Sequence, residues 1–305
     1  MFNKGVLYSL GAYVIWGFFP ILFKSLINVP ALQILAHRFV WCFVAIVILL
    51  VLRRELPALK SSINRRALLI YAAAGILLTI NWGTYVWAVN AGYVLESSLG
   101  YFINPLVNVL LGVLFLREKL RPMQWVPVGL AAVGVLYLTV SYGSLPWIAL
   151  VLAFTFGLYG LVKKLAPLGA LHGMALETTS ILLPAIVYLV FAEISGIGSF
   201  GHGTPITTLL LIFAGFITSV PLLLFSAGAQ SVPLSIMGLL QYVSPSIQFL
   251  IGVFIYKEPF TVERLIGFII IWLALTIFSF ESFKNWQKGN ARASAKSQEL
   301  LIPDL

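Results

Sequence analysis

A chain of 305 residues in which 60% are hydrophobic and 10% charged cannot cover a water-soluble globule, whose charged fraction is roughly 25%. A net charge of +9 would point to nucleic acid in a soluble protein. Here the basic residues stand between long apolar runs, so they read as setting orientation in a bilayer, and no nucleic-acid partner is expected.

Spanning helices need about 20 apolar residues to cross a core of about 30 Å. Helices are expected because each satisfies its own backbone inside lipid, and no alternating segments of about 10 residues suggest a β-barrel. In chain order the predicted helices cover 5–26, 30–52, 67–90, 94–116, 123–141, 145–163, 170–193, 206–229, 233–256 and 261–281. The first, apolar from Val6 to Leu22 behind Lys4, is followed by no small-x-small cleavage site and reads as an uncleaved span. Cys42 is the single cysteine and makes no intramolecular disulfide. The longest linkers are 53–66 and 194–205, and from Lys284 the chain turns polar, as disordered tails do. With a cytoplasmic N-terminus, Lys4, Arg53, Arg54, Lys60, Arg65, Arg66, Arg117, Lys119, Arg121, Lys163, Lys164 and the tail fall on the cytoplasmic side, against Lys24, Lys257 and Arg264 outside. That bias fits ten crossings with both termini inside.

The chain pairs with itself at an offset of 140 residues. Trp16-Gly17 falls on Phe156-Gly157, Ala74-Gly75 on Ala214-Gly215, Asn104-Pro105 on Ser244-Pro245, Gly112-Val113 on Gly252-Val253, and Glu118 on Glu258. Five helices per copy force the second copy to enter from the opposite side. The expected fold is therefore all-α and integral to the membrane, with ten transmembrane helices as two inverted five-helix repeats, 1–142 and 143–283, and a polar tail at 284–305. Inverted repeats supply two nearly equivalent conformations, a recurring basis for alternating access.

Several segments carry a family resemblance: Ala12-Tyr13-Val14-Ile15-Trp16-Gly17, His37-Arg38-Phe39-Val40-Trp41, Asn81-Trp82, Glu96 through Leu106, Phe156-Gly157-Leu158-Tyr159-Gly160-Leu161 and Gln241-Tyr242. The chain resembles the EamA branch of the drug/metabolite transporter superfamily, and within it the RarD-type permeases labelled chloramphenicol-sensitive. The resemblance implies two EamA repeats in a bacterial inner membrane and export of small molecules, without fixing the substrate.

Proline in a helix frees the carbonyl four residues earlier. Pro105 frees Tyr101 and its repeat equivalent Pro245 frees Gln241, while Pro20 frees Trp16. Paired interruptions in two halves point to a transporter site or gate; kinks that only shape the bundle are the alternative. His37 and Arg38 lie about two turns into the second helix, and the repeat sets His37 on Glu177. Ionisable groups at membrane depth mark pathways or proton sites, or else structural ion pairs and snorkelling. Asn81 and Tyr85 place polar groups along the third helix, and Trp16, Tyr101, Gln241 and Tyr242 are candidates to line a cavity, although such residues also simply pack. Glu96, Glu118 and Glu258 at helix ends read as caps.

No phosphate loop, metal-ligand spacing or nucleophile elbow occurs, so neither cofactor nor metal is expected and the chain is not read as an enzyme. The expected partners are a small-molecule substrate and the lipid bilayer. A secondary transporter, with or without proton coupling, is expected ahead of an intramembrane lipid-modifying enzyme or a sensor or scaffold. Helices one to four and six to nine should enclose one central cavity, with the fifth and tenth outside it.

Overall fold

The computed structural model describes residues 4–91, 93–142, 147–257 and fifteen positions between 262 and 284, namely 262, 265–267, 269–270, 272–274, 276–278, 280, 281 and 284. Every regular element among them is helical. In order these are α1 (Lys4–Gly17), α2 (Phe19–Lys24), α3 (Ala31–Leu52), α4 (Leu56–Ser62), α5 (Arg65–Asn90), α6 (Val94–Phe115), α7 (Trp125–Tyr142), α8 (Trp147–Leu165), α9 (Ala170–Ile194), α10 (Pro205–Ser231), α11 (Leu234–Gln241) and α12 (Val243–Leu250), the last running into a π-turn at Ile251–Ile255. Among the described residues seven stretches are long and apolar enough to cross a membrane, and shorter apolar helices occur at Gly100–Phe115, Pro122–Tyr137 and Leu265–Phe278. The polar tail after Lys284, and Glu258, lie outside the described residues.

The packing repeats with the halves exchanged. α1 packs on α10 and on α11 and α12, while α8, its counterpart, packs on α5 and α6. α3 and α9 pack on each other, α3 also on α10 and α9 also on α5, and α6 packs on α11. Contacts at the helix ends give the directions. Lys164, closing α8, donates to the carbonyl of Val232 just after α10 at 2.6 Å, and Gly5 and Ser9, opening α1, lie against Gly228 near the same end of α10. α1 and α8 therefore run in opposite directions. Gln33, opening α3, donates to Ile197 O at 2.5 Å and accepts from Ser199 N at 2.8 Å, both beyond the end of α9. Tyr71 near the start of α5 and Gln230 near the end of α10 share the carbonyl of Leu168. The two repeats are inverted.

One end of the bundle carries Arg53, Arg54, Arg65, Arg66, Arg117 and Lys164 and is called here the basic end; the far end carries Lys24 and Lys257. At the basic end Glu118, just past α6, accepts from Leu234 N at 2.6 Å and from Ser235 N at 2.9 Å. It caps the open amides of α11, where a carboxylate is favoured by both hydrogen bonding and the helix dipole.

Two expected helices are divided. The stretch 5–26 is interrupted at Phe18, and 233–256 at Tyr242. Pro20 has no N–H for Trp16 O, and Gln248 of α12 donates to that carbonyl instead, at 3.2 Å. Beyond Pro245, Tyr242 O accepts from Ser246 N at 3.1 Å and from its hydroxyl at 2.8 Å. α6 runs unbroken through Pro105. It is held along α8, where Asn104 donates to Ala153 O at 2.6 Å and Gly157 admits Val107 and Leu111 so closely that a methyl group would collide with Val107. Small residues at such seams let membrane helices approach.

Candidate functional site

A cavity of about 270 Å³ enters between α1, α2, α3, α5 and α12. Near the far end its wall includes Ile27, which is 75% exposed. Deeper in, Tyr13, Trp16 and Phe156 form its floor. The expected ring of eight helices is incomplete. α9 and α10 contribute no lining residue, because their facing side chains are packed against α3 and the floor. Neither α7 nor the described positions between 262 and 284 line it.

Among the described residues Arg38 is the one charged side chain that lines this cavity. α3 delivers it from its second turn, and it is only 6% exposed. Its Nε donates to Thr218 Oγ1 of α10 at 3.1 Å, and that hydroxyl donates onward to Ala214 O at 2.6 Å. The guanidinium carbon lies 4.0 Å from the Trp82 ring centre, 5.0 Å from Phe23 and 5.4 Å from Phe19. Aromatic faces attract a cation by about 2 kcal/mol when water is excluded, less than the several kcal/mol a buried charge costs. No described carboxylate pairs with Arg38, and its two terminal nitrogens have no hydrogen-bond partner among the described residues.

The polar remainder of the lining comes from facing helices. Asn81 donates to Leu152 O at 2.7 Å and to Thr155 Oγ1 at 2.9 Å. Gln241 accepts from Asn108 at 3.0 Å through its amide oxygen, and Asn108 also donates to Asn104 at 3.2 Å. Tyr85 and Tyr101 meet edge to face at 5.7 Å. The hydroxyl of Tyr13 is buried without a partner among the described residues.

Below the floor the path is closed. Trp16, Phe156, Tyr159 and Phe225 stack into one cluster with ring centres 5.4 to 5.7 Å apart. Behind it, toward the basic end, Lys163 and Glu177 form an ion pair at 2.7 Å with both side chains 1% exposed. Tyr159 donates to the other Glu177 oxygen at 3.0 Å. Lys163 was expected at the cytoplasmic surface; the α8–α9 hairpin instead brings it to the depth of Glu177, and pairing removes both charges from lipid.

Of the sequence candidates, Trp16, Pro20, Arg38, Asn81, Tyr85, Tyr101, Gln241 and Pro245 line the cavity. Glu177 does not, being sealed with Lys163. His37 stacks on Phe200 of the 194–205 linker at 4.8 Å, and its Nδ1 has no partner among the described residues. Tyr242 donates to Phe102 O at 3.1 Å, and the carbonyl of Pro105 packs against Gly238. Sequence reasoning passed over Tyr13, Phe19, Phe23, Trp82, Phe156, Thr218 and Gln248. The signal for Trp82 was available: a deep arginine needs an aromatic or anionic neighbour, and Asn81-Trp82 stands at matching depth on the next long helix.

Comparison with known proteins gives the same frame. The model of the EamA-like transporter family matches residues 3–140 and again 145–280. The chain is 46% identical to the uncharacterized transporter YojE of Bacillus subtilis over 94% of this chain and 97% of that protein. It is 44% identical to Protein RarD of Escherichia coli over 92% of this chain and 95% of that one. One solved protein crystal structure superposes on 91% of this chain and 98% of its own with a TM-score of 0.72 at 16% identity, a likeness of fold alone. With inverted halves, a central cavity and a family model matched twice in tandem, the chain belongs to the EamA-like transporter family of multi-pass membrane proteins.

Proposed function

We propose that the chain is a secondary transporter that carries small organic molecules across the bacterial plasma membrane by alternating access, and that it is not an enzyme. The observation that supports this best is the cavity itself, open toward the far end and stopped by an aromatic floor within an inverted repeat. The basic end is read as cytoplasmic by the distribution of lysine and arginine, which makes the described state outward-facing, with ten crossings and both termini inside. The repeats 1–142 and 143–283 are the units that exchange roles, and 284–305 is a cytoplasmic tail. At an offset of 140, Phe19, Phe23, Arg38, Tyr85 and Tyr101 on the open side correspond to Tyr159, Lys163, Thr178, Phe225 and Gln241, most of them on the closed side. In the inward-facing state the Phe156–Phe225 floor parts and the Phe19–Phe23 wall closes.

An intramembrane enzyme acting on lipid needs catalytic groups gathered at one depth near an interface. The buried charged groups nearest the cavity are instead split between Arg38 on one side of the floor and the Lys163–Glu177 pair on the other. Proton coupling through Glu177 and simple facilitated diffusion are both compatible with this arrangement. Counterflow in proteoliposomes tests the reading, with a library that includes amphenicols and amino-acid-like metabolites, with and without a pH gradient. Saturable flux of at least one compound is expected; no flux of any compound in either direction contradicts transport.

A further inference from the structure

We propose that the cavity takes an organic monoanion, a carboxylate joined to a flat apolar body, with Arg38 as its anchor. This rests on the reading of the cavity as the transport site, and names the substrate class for it.

Charge comes first. Among the described residues Arg38 is the cavity's only charged lining residue, and none of their carboxylates pairs with it. A ligand with one negative charge supplies the missing half of the pair. The repeat sharpens the contrast, since Lys163, on the other side of the floor, already has Glu177 at 2.7 Å. One cation is neutralised by the protein itself, and the other is left for what enters.

Geometry comes second. Thr218 occupies Nε and Trp82 lies 4.0 Å from the guanidinium carbon. The guanidinium is therefore oriented, and its two terminal nitrogens form the remaining edge. Such an edge matches the two oxygens of a carboxylate. Gln241 offers a second donor: its oxygen is held by Asn108, and its amide nitrogen makes no hydrogen bond among the described residues. Tyr13 adds a buried hydroxyl with no described partner.

The rest of the lining decides the body of the ligand. Trp16, Phe19 and Phe156 offer ring faces and edges, and about 270 Å³ is just under the ~300–1,000 Å³ usual for small-molecule sites. A single ring with a short acidic side chain suits that space. An ammonium group finds no carboxylate among the described lining residues, and the Trp82 face is taken by Arg38. Amines, zwitterions and neutral amides are therefore disfavoured.

The test uses the full chain in nanodiscs and four probes of one shape: phenylacetate, phenylacetamide, phenethylamine and phenylalanine. Binding is read by quenching of tryptophan fluorescence and by displacement of labelled phenylacetate. Phenylacetate is expected to bind about tenfold or more tighter than the amide, the margin of one charge-assisted hydrogen-bonded contact. Arg38→Gln should abolish that preference, and Gln241→Leu should weaken phenylacetate binding severalfold. If Arg38→Gln does not fold, the carboxylate-to-amide ratio in the unaltered chain still decides. Equal or tighter binding of the amide, the amine or the zwitterion overturns the proposal, as does binding of none of the four at millimolar concentration. The transport reading fails separately: a carboxylate that binds but shows no flux contradicts transport and leaves the anion site standing, whereas flux of neutral compounds with carboxylates ignored does the reverse.

Discussion

The α1–α2 and α11–α12 pair and its repeat counterpart, α8 with α6, carry related sequences in opposite states. The first pair is broken at Phe18 and Tyr242 and lines an open cavity. The second is continuous and zipped shut, although α6 contains Pro105 at the position equivalent to Pro245. Proline alone therefore does not set the break. What differs is the neighbour: Gln248 takes over the Trp16 carbonyl in the open pair, while Asn104, Gly100 and Gly157 hold α6 along α8 in the closed one. In an inverted repeat such a difference between equivalents is the difference between an open side and a closed side. In the proposed transport cycle, exchanging the two states moves the opening across the membrane.

The largest effect that can break this comparison lies behind the floor. Glu177→Leu leaves Lys163 buried and unpaired, which costs about 3–5 kcal/mol. A thermal unfolding scan in detergent should show a large drop in midpoint. The double variant Lys163→Met with Glu177→Leu should recover most of it, because a packed apolar pair replaces the ions. If the single variant is as stable as the parent, the pair does not hold the closed side. A smaller effect is expected at the α6–α8 seam. Gly157→Val pushes a side chain into Val107 and Leu111, and overpacking of this kind costs about 1–3 kcal/mol. The same scan should show a lower midpoint. An unchanged midpoint would mean that this seam is not what keeps the basic end shut.

Much of the frame was readable beforehand. Gly, Pro and Glu matches at one offset exposed the repeat, and an odd helix number per copy forced its inversion. Arg38 was readable because a charge two turns into an apolar helix has few places to go. The facing of His37 was not readable, because one residue along a helix turns the side chain by about 100°. That step sends Arg38 into the cavity and His37 onto Phe200. Lys163 was misplaced because two lysines at a helix end look alike until the hairpin length fixes depth; Lys164 reaches the Val232 carbonyl while Lys163 turns inward to Glu177. The carbonyl freed before the Phe18 break is taken by Gln248 from a helix far away in sequence, and α6 is held straight by Asn104 and Gly157 against α8, so local sequence could not separate Pro245 from Pro105. The floor residues Tyr13 and Phe156 looked like any apolar packing.

The central claim is that two inverted halves share one pathway and open it on alternate sides. Cys42 is the only native cysteine and is buried, so a Cys42→Ala background permits single-cysteine labelling in oriented membranes. Val86 lines the open cavity, and its equivalent at an offset of 140, Ser226, is buried on the closed side. Val86→Cys should react with an impermeant thiol reagent from outside only, Ser226→Cys from the cytoplasmic side only, and a ligand that raises one reactivity should lower the other. Reaction of both from the same face, or a silent Ser226→Cys in a protein that still carries substrate, would contradict alternating access by exchange of the repeats.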